Sequence, residues 1–155
     1  MKKIALLIVL LVSILNANED SKKVVFDLTT GDTKVFETKI LSGIANFKAH
    51  YQSTLEELDV AVVIHGEAYK FFIKDLSASP YKDDLALNKN HYALSKRLLS
   101  MSELYNVEFL ICERGMKKLK IEDESLYSFV TKVPNSTIGL IDKQSEGYSY
   151  IPVAK

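Results

Sequence analysis

The segment FLICERGM, residues 109–116, puts Cys112 at the end of an apolar run and directly before a basic stretch, RGMKKLK. It is the only Cys in the chain. Thiol chemistry runs through the thiolate, a form favoured by a helix N-terminus and by nearby cations. Arg114, Lys117, Lys118 and Lys120 follow closely, and a helix beginning after the run would aim backbone N–H groups at the sulfur. The position equally suits a buried small apolar residue, which is what free Cys usually is. The residues alone leave both readings open. His65 closes a second apolar run, LDVAVVIHG, whose loop a parallel sheet could bring beside Cys112. There it could act as a base or thiolate partner, although a strand-end His bonded to backbone or water is the plainer reading. Arg114, Gly115 and Glu67 belong to the same two loops and are the candidates for anion or substrate binding.

Other chemistries have weaker support. Three scattered His and one Cys lack the paired spacing of a zinc site. No GxGxxG, Walker or GxSxG pattern occurs, so no cofactor is expected. The turn TTGD, residues 29–32, could receive an anion at a helix N-terminus, but with one Gly it reads more simply as a capped strand-to-helix link. His50 and His91 fall on predicted helices among polar residues and are expected in solvent. Twenty basic and twenty acidic residues cancel, which gives no case for nucleic-acid binding. The run RGMKKLK has no interleaved aromatics and is offset by the IEDE that follows it.

These residues need elements to hold them. KKVVFDL (22–28) reads as a strand. From Asp32, which with Thr33 is the predicted N-cap, apolar residues recur at Phe36, Ile40, Ile44, Phe47, Tyr51 and Leu55, one face of a long helix. LDVAVVIHG (58–66) is a strand buried on both faces. Residues 67–76 predict a short helix, and 83–105 a longer one with Leu87, Leu94, Leu98, Met101 and Tyr105 on one side. VEFLIC (107–112) is a third strand, followed by a short helix or turn. A helical turn over 124–130 leads to a short strand around Val130–Val133. NSTIGLIDKQSEG is a helix with Gly147 at its end, and YSYIPV (148–153) a last strand. Strands alternating with helices imply βαβ units, a mostly parallel sheet and helices on both faces. In such sheets reactive groups gather at the carboxyl ends of the strands.

The first seventeen residues, MKKIALLIVLLVSILNA, stand apart. A positive start, an apolar run of about a dozen residues and a closing small residue describe a signal peptide cleaved after Ala17. The run is short for a membrane span, which needs about 20 apolar residues; an uncleaved anchor is the alternative. Cleavage leaves 18 basic against 20 acidic residues, a net charge of −2. The expected organisation is a signal peptide over 1–17 and one α/β domain over 18–155. The expected location is the periplasm, without stable membrane insertion. Disulfides usually form in that compartment, and one Cys cannot make an intramolecular one.

HGEAYKFF, VEFLICERGM and the closing IGLIDKQSEGYSYIPV together resemble the DsrE/DsrF-like family, small α/β proteins of sulfur oxidation and sulfur relay. The resemblance runs from roughly Lys22 to Val153, and its most specific part is the Cys followed by Gly-Met. It implies a three-layer α/β/α sandwich around a five-stranded parallel sheet, and a homo-oligomer, often a trimer or hexamer. It also implies that a Cys at this position carries sulfur as a persulfide, a role that falls on Cys112. The partners would be sulfur donor and acceptor proteins or small sulfur species. One Cys suffices for a carrier but not for a dithiol oxidoreductase acting alone. Two alternatives stand beside this: a non-catalytic oligomeric binding module with Cys112 merely packed, and a small-ligand or anion binder using the TTGD and HGE loops.

Overall fold

A computed structural model describes residues 21–154. The expected signal peptide and its cleavage site lie outside the described residues. The first strand, β1 (Lys22–Leu28), pairs with β2 (Leu58–Ile64) on one side and β5 (Ser149–Val153) on the other. Beyond β2 come β3 (Glu108–Cys112) and β4 (Val130–Val133), so the order is β4-β3-β2-β1-β5 and every pairing is parallel. Among the described residues, no helix is long and apolar enough to cross a membrane.

The alternation of side chains along each strand sorts the core into two layers. Val24, Phe26, Leu28, Val60, Val62, Ile64, Phe109 and Ile111 face the larger one. Helix α1, spanning Thr33–Val35, Phe36–Ser42 and Gly43–Ser53, covers this face together with α2 (Leu85–Glu103). Phe36 stacks on Phe71 with ring centroids 4.2 Å apart and meets Phe72 edge-on. Each such buried ring contributes about 1.5–3 kcal/mol by leaving water. On the opposite face Val25, Ala61, Val63 and Leu110 form a smaller layer, closed by Leu140 of α4 (Ser136–Ser145) and by Tyr148.

Two local expectations change. Asp32 caps α1 as predicted, its carboxylate accepting from Val35 N–H at 2.9 Å. The segment Phe36–Ser42 is π-helical, however, and the wider turn adds Leu41 to the buried stripe. Phe36, Ile40 and Ile44 are buried as predicted, Phe47 is half-exposed with its ring stacked 6.4 Å from that of Phe26, and Leu55 lies outside the helix in solvent. The predicted helix over 67–76 contracts to a 3₁₀ segment, Ala68–Phe72. Ile73 then leaves it extended, bridging to Leu126. That path also corrects the reading of His91, which is half-buried with Nε2 2.8 Å from the Ile73 carbonyl oxygen.

The chain forks at the carboxyl ends of β3 and β4. Helix α3 (Glu113–Leu119) leaves β3 directly and buries Met116 in the larger layer. From β4 the chain enters α4, which packs on the smaller one. Neighbouring strand ends whose helices depart to opposite faces open a crevice between them, the place where open α/β sheets collect ligands.

Candidate functional site

Cys112 occupies that fork, as the last residue of β3 and the N-cap of α3. It pairs in register with Val133 of β4, and Arg114 N–H donates to the Pro134 carbonyl at 3.3 Å, tying the two strand ends together. The residue is buried, with 6% of its surface exposed. Burial pushes its thiol pKa up, but hydrogen bonds from the Tyr69 hydroxyl and from the backbone N–H groups of Gly115, Ser136 and Arg114 outweigh it. The net shift is below the ordinary thiol value. Gly115 N–H lies in the first turn of α3 and Ser136 N–H opens α4, so helix starts from separate parts of the chain face one sulfur atom, with Arg114 N–H shared with the Pro134 carbonyl.

Tyr69 is the member that sequence reasoning missed. Within Ala68–Phe72 every residue is buried except Lys70, which turns outward to Asp84 at 3.1 Å. Tyr69 thereby runs inward, and its hydroxyl donates to the Cys112 carbonyl oxygen at 2.9 Å, which sets the hydroxyl dipole beside the thiol. Its pKa is held far above the ordinary tyrosine value, first by burial, then by the hydrogen bond to Cys112 and the negative charge there. Tyr69 therefore remains a donor throughout the working pH range. Gly115 explains how the ring fits. A Cβ built on Gly115 would fall 1.9 Å from the Tyr69 hydroxyl oxygen.

The other predicted site residues separate. Arg114 contributes its backbone N–H, while its side chain is exposed and makes no hydrogen bond or ion pair among the described residues. The lysines after it do not reach the sulfur: Lys117 pairs with Glu113 at 3.1 Å, and Lys120 leaves α3 in the left-handed region at φ 56°. Glu67 lies over the β1–α1 turn instead, so close to Gly31 that a Cβ there would come 2.9 Å from its Oε2. A carboxylate in that place opposes the anion site that TTGD suggested. His65 makes no bond to Cys112; its Nε2 lies 2.6 Å from Oδ1 of Asp27.

Asn135 holds the α4 contribution in place. Its side chain accepts from Ile138 N–H at 3.0 Å, which fixes the first turn and with it the aim of Ser136 N–H. Replacing such a cap by Ala costs about 1 kcal/mol, a drop of roughly 2–4 °C in Tm for a domain of this size. Asn135→Ala should show that drop in a thermal melt. The midpoint of thiol alkylation against pH should rise in the same variant.

The fold and site define an α/β/α sandwich that presents one thiol ringed by hydrogen-bond donors. The sequence pattern of the DsrE/DsrF-like family matches residues 23–153, and the chain belongs to that family. It is also similar to an uncharacterized protein of Aquifex aeolicus (strain VF5), 27% identical over 130 residues, covering 84% of this chain and 55% of that one. The chain thus spans about half the length of this curated relative. A solved structure of a protein of unknown function, MTH1491 from Methanobacterium thermoautotrophicum, matches with a TM-score of 0.60 at 20% identity. That match covers 85% of this chain and 99% of the other, and it shows the shared fold.

Proposed function

We propose that this protein is a sulfur carrier acting through Cys112. The observation that carries this reading is the placement of Cys112 at the end of β3 and the start of α3, with the Tyr69 hydroxyl on its carbonyl oxygen at 2.9 Å. In these surroundings the thiol pKa lies below its ordinary value despite burial. A Cys kept only for packing needs no such surroundings, since an apolar neighbour would serve it as well. Membership of a family associated with sulfur relay agrees with the reading.

The Cys112 thiolate attacks the outer sulfur of a donor persulfide, R–S–SH. The donor's S–S bond breaks, R–S⁻ departs, and Cys112–S–SH remains. The same N–H groups that held the thiolate then face the persulfide, whose anion spreads over two sulfurs. With 6% of its surface exposed, Cys112 admits a thin sulfane chain rather than a broad reactant. Arg114, exposed two residues after Cys112, is placed to attract an anionic donor, and Gly115 leaves room for the Tyr69 ring. The N-terminal pattern supports a periplasmic location for this activity, and the family resemblance supports a homo-oligomer, a trimer or hexamer.

Intact mass of the chain from Asn18 to Lys155 after incubation with polysulfide tests the reading. The expected result is added mass in whole sulfur atoms, removed by reductant. An unmodified chain whose folded thiol also resists alkylation would make Cys112 a packing residue. The protein would then be a non-catalytic oligomeric binding module.

A further inference from the structure

Three side chains from three strands converge one strand away from Cys112. The carboxylate of Asp27, on β1, has Nε2 of His65 at 2.6 Å from Oδ1, and the Tyr150 hydroxyl of β5 donates to Oδ2 at 2.8 Å. His65 and Asp27 keep 27% and 15% of their side-chain surface exposed, so the group opens to solvent at the strand ends. A carboxylate only accepts, so Nε2 carries a proton, and in the neutral ring Nδ1 holds the lone pair. Nδ1 makes no hydrogen bond among the described residues. An imidazole oriented by a carboxylate, with its other nitrogen open, is the arrangement of a general base.

The register sets its place relative to the thiol. Ile64 of β2 pairs with Ile111 of β3, so His65 and Cys112 are the next residues on adjacent parallel strands, which lie roughly 4.8 Å apart. The His65 ring leans toward β1, away from β3. Cys112 already has Tyr69 and three N–H groups and needs no further partner. A base standing to one side of the sulfur serves whatever approaches it.

We propose that His65, positioned by Asp27 and Tyr150, takes the proton from the acceptor thiol that receives sulfur from Cys112. The proposal rests on the sulfur-carrier reading above. An ordinary thiol has a pKa of about 8.5 and is mostly protonated at neutral pH. The acceptor R–SH gives its proton to Nδ1 and its electron pair to the outer sulfur of Cys112–S–SH. The S–S bond breaks, Cys112 leaves as thiolate into its ring of donors, and the acceptor departs as R–S–SH. Sulfur changes hands with no net oxidation, and the imidazolium returns its proton to water. His65 is the catalytic residue, touching the reacting thiol, whereas Asp27 and Tyr150 act through it.

Single-turnover transfer from sulfur-loaded protein to two acceptors tests this. One is 2-mercaptoethanol, mostly protonated at neutral pH; the other is thionitrobenzoate, already ionised there. General-base help is worth about 10²–10⁴-fold, so His65→Gln should slow transfer to 2-mercaptoethanol about 100-fold, and Asp27→Asn about 10-fold. Tyr150→Phe, at a surface position, should slow it about 3-fold, the scale of one solvent-exposed hydrogen bond. Transfer to thionitrobenzoate should match wild type in all three. Equal slowing with both acceptors, or slowing with neither, overturns the proposal. If a variant at His65 or Asp27 fails to fold, Tyr150→Phe carries the same comparison. Should wild-type protein take up no sulfur at all, the carrier reading falls and this proposal falls with it.

Discussion

A Cys112→Ser chain should take up no sulfur from polysulfide at any pH, while folding and melting close to wild type. Serine fits the space with one smaller atom, and its hydroxyl accepts from the same Tyr69 and N–H donors. Its oxygen, however, is not ionised in water near neutrality and forms no persulfide. The loss is therefore complete rather than graded. In wild type the uptake rate should rise with pH and level off below the ordinary thiol range of about 8.5, because only the thiolate reacts. Burial alone would move that midpoint upward, and Tyr69 with the N–H groups of Gly115, Ser136 and Arg114 reverses it. Tyr69→Phe removes one of those donors and should shift the midpoint back up.

The same shift links to stability, with a definite sign. A folded-state pKa below the unfolded value stabilises the fold at pH above the unfolded value. That contribution fades as pH falls toward the folded value and is absent below it. Chemical denaturation of wild type and Cys112→Ser should accordingly diverge at alkaline pH and converge at acid pH. A gap that stays constant across pH would show that the thiolate gains nothing from its surroundings.

The sequence made the strand ends legible more readily than their companions. Cys112 could be placed because an apolar run stops there and a helical pattern follows, and Asp32 because capping residues act locally. The π-helical turn over Phe36–Ser42 leaves no such mark, and the buried Leu41 therefore falls outside the stripe that the period predicts. Tyr69 was hidden because HGEAYKFF reads as helix by composition, and only the 3₁₀ geometry sends the ring toward Cys112. Gly115 beside a large aromatic was the one available signal. Ser136 and the trio of Asp27, His65 and Tyr150 depend on strand order. A period-2 pattern identifies a strand without saying which neighbour it will take. Until β5 is known to lie against β1, nothing connects Tyr150 with Asp27.

Gly115→Ala should cost more stability than any other single methyl added near the site, and should disarm the thiol with it. Two effects oppose each other. Alanine is the better helix former by about 1 kcal/mol, and Gly115 lies inside α3. Against this, the new Cβ would stand 1.9 Å from the Tyr69 hydroxyl oxygen, 2.6 Å from its Cζ and 3.0 Å from its Cε2. Tyr69 is buried, with Ala68, Phe71 and Phe72 buried around it, so the ring has little room to retreat. Overpacking a filled core costs about 1–3 kcal/mol and at times more, and a contact this short belongs at the upper end. The clash therefore wins, with a net loss of roughly 2 kcal/mol or more. A thermal melt should show a fall of about 4–8 °C. Because the ring can yield only by withdrawing its hydroxyl from Cys112, the alkylation midpoint should rise in the same variant. Tyr69→Leu supplies the space, and in the double variant the methyl at Gly115 should cost almost nothing, a non-additivity expected only of residues in contact. If Gly115→Ala melts with wild type and alkylates at the same midpoint, Tyr69 does not donate to this sulfur. The lowered thiol pKa would then rest on the three backbone N–H groups alone.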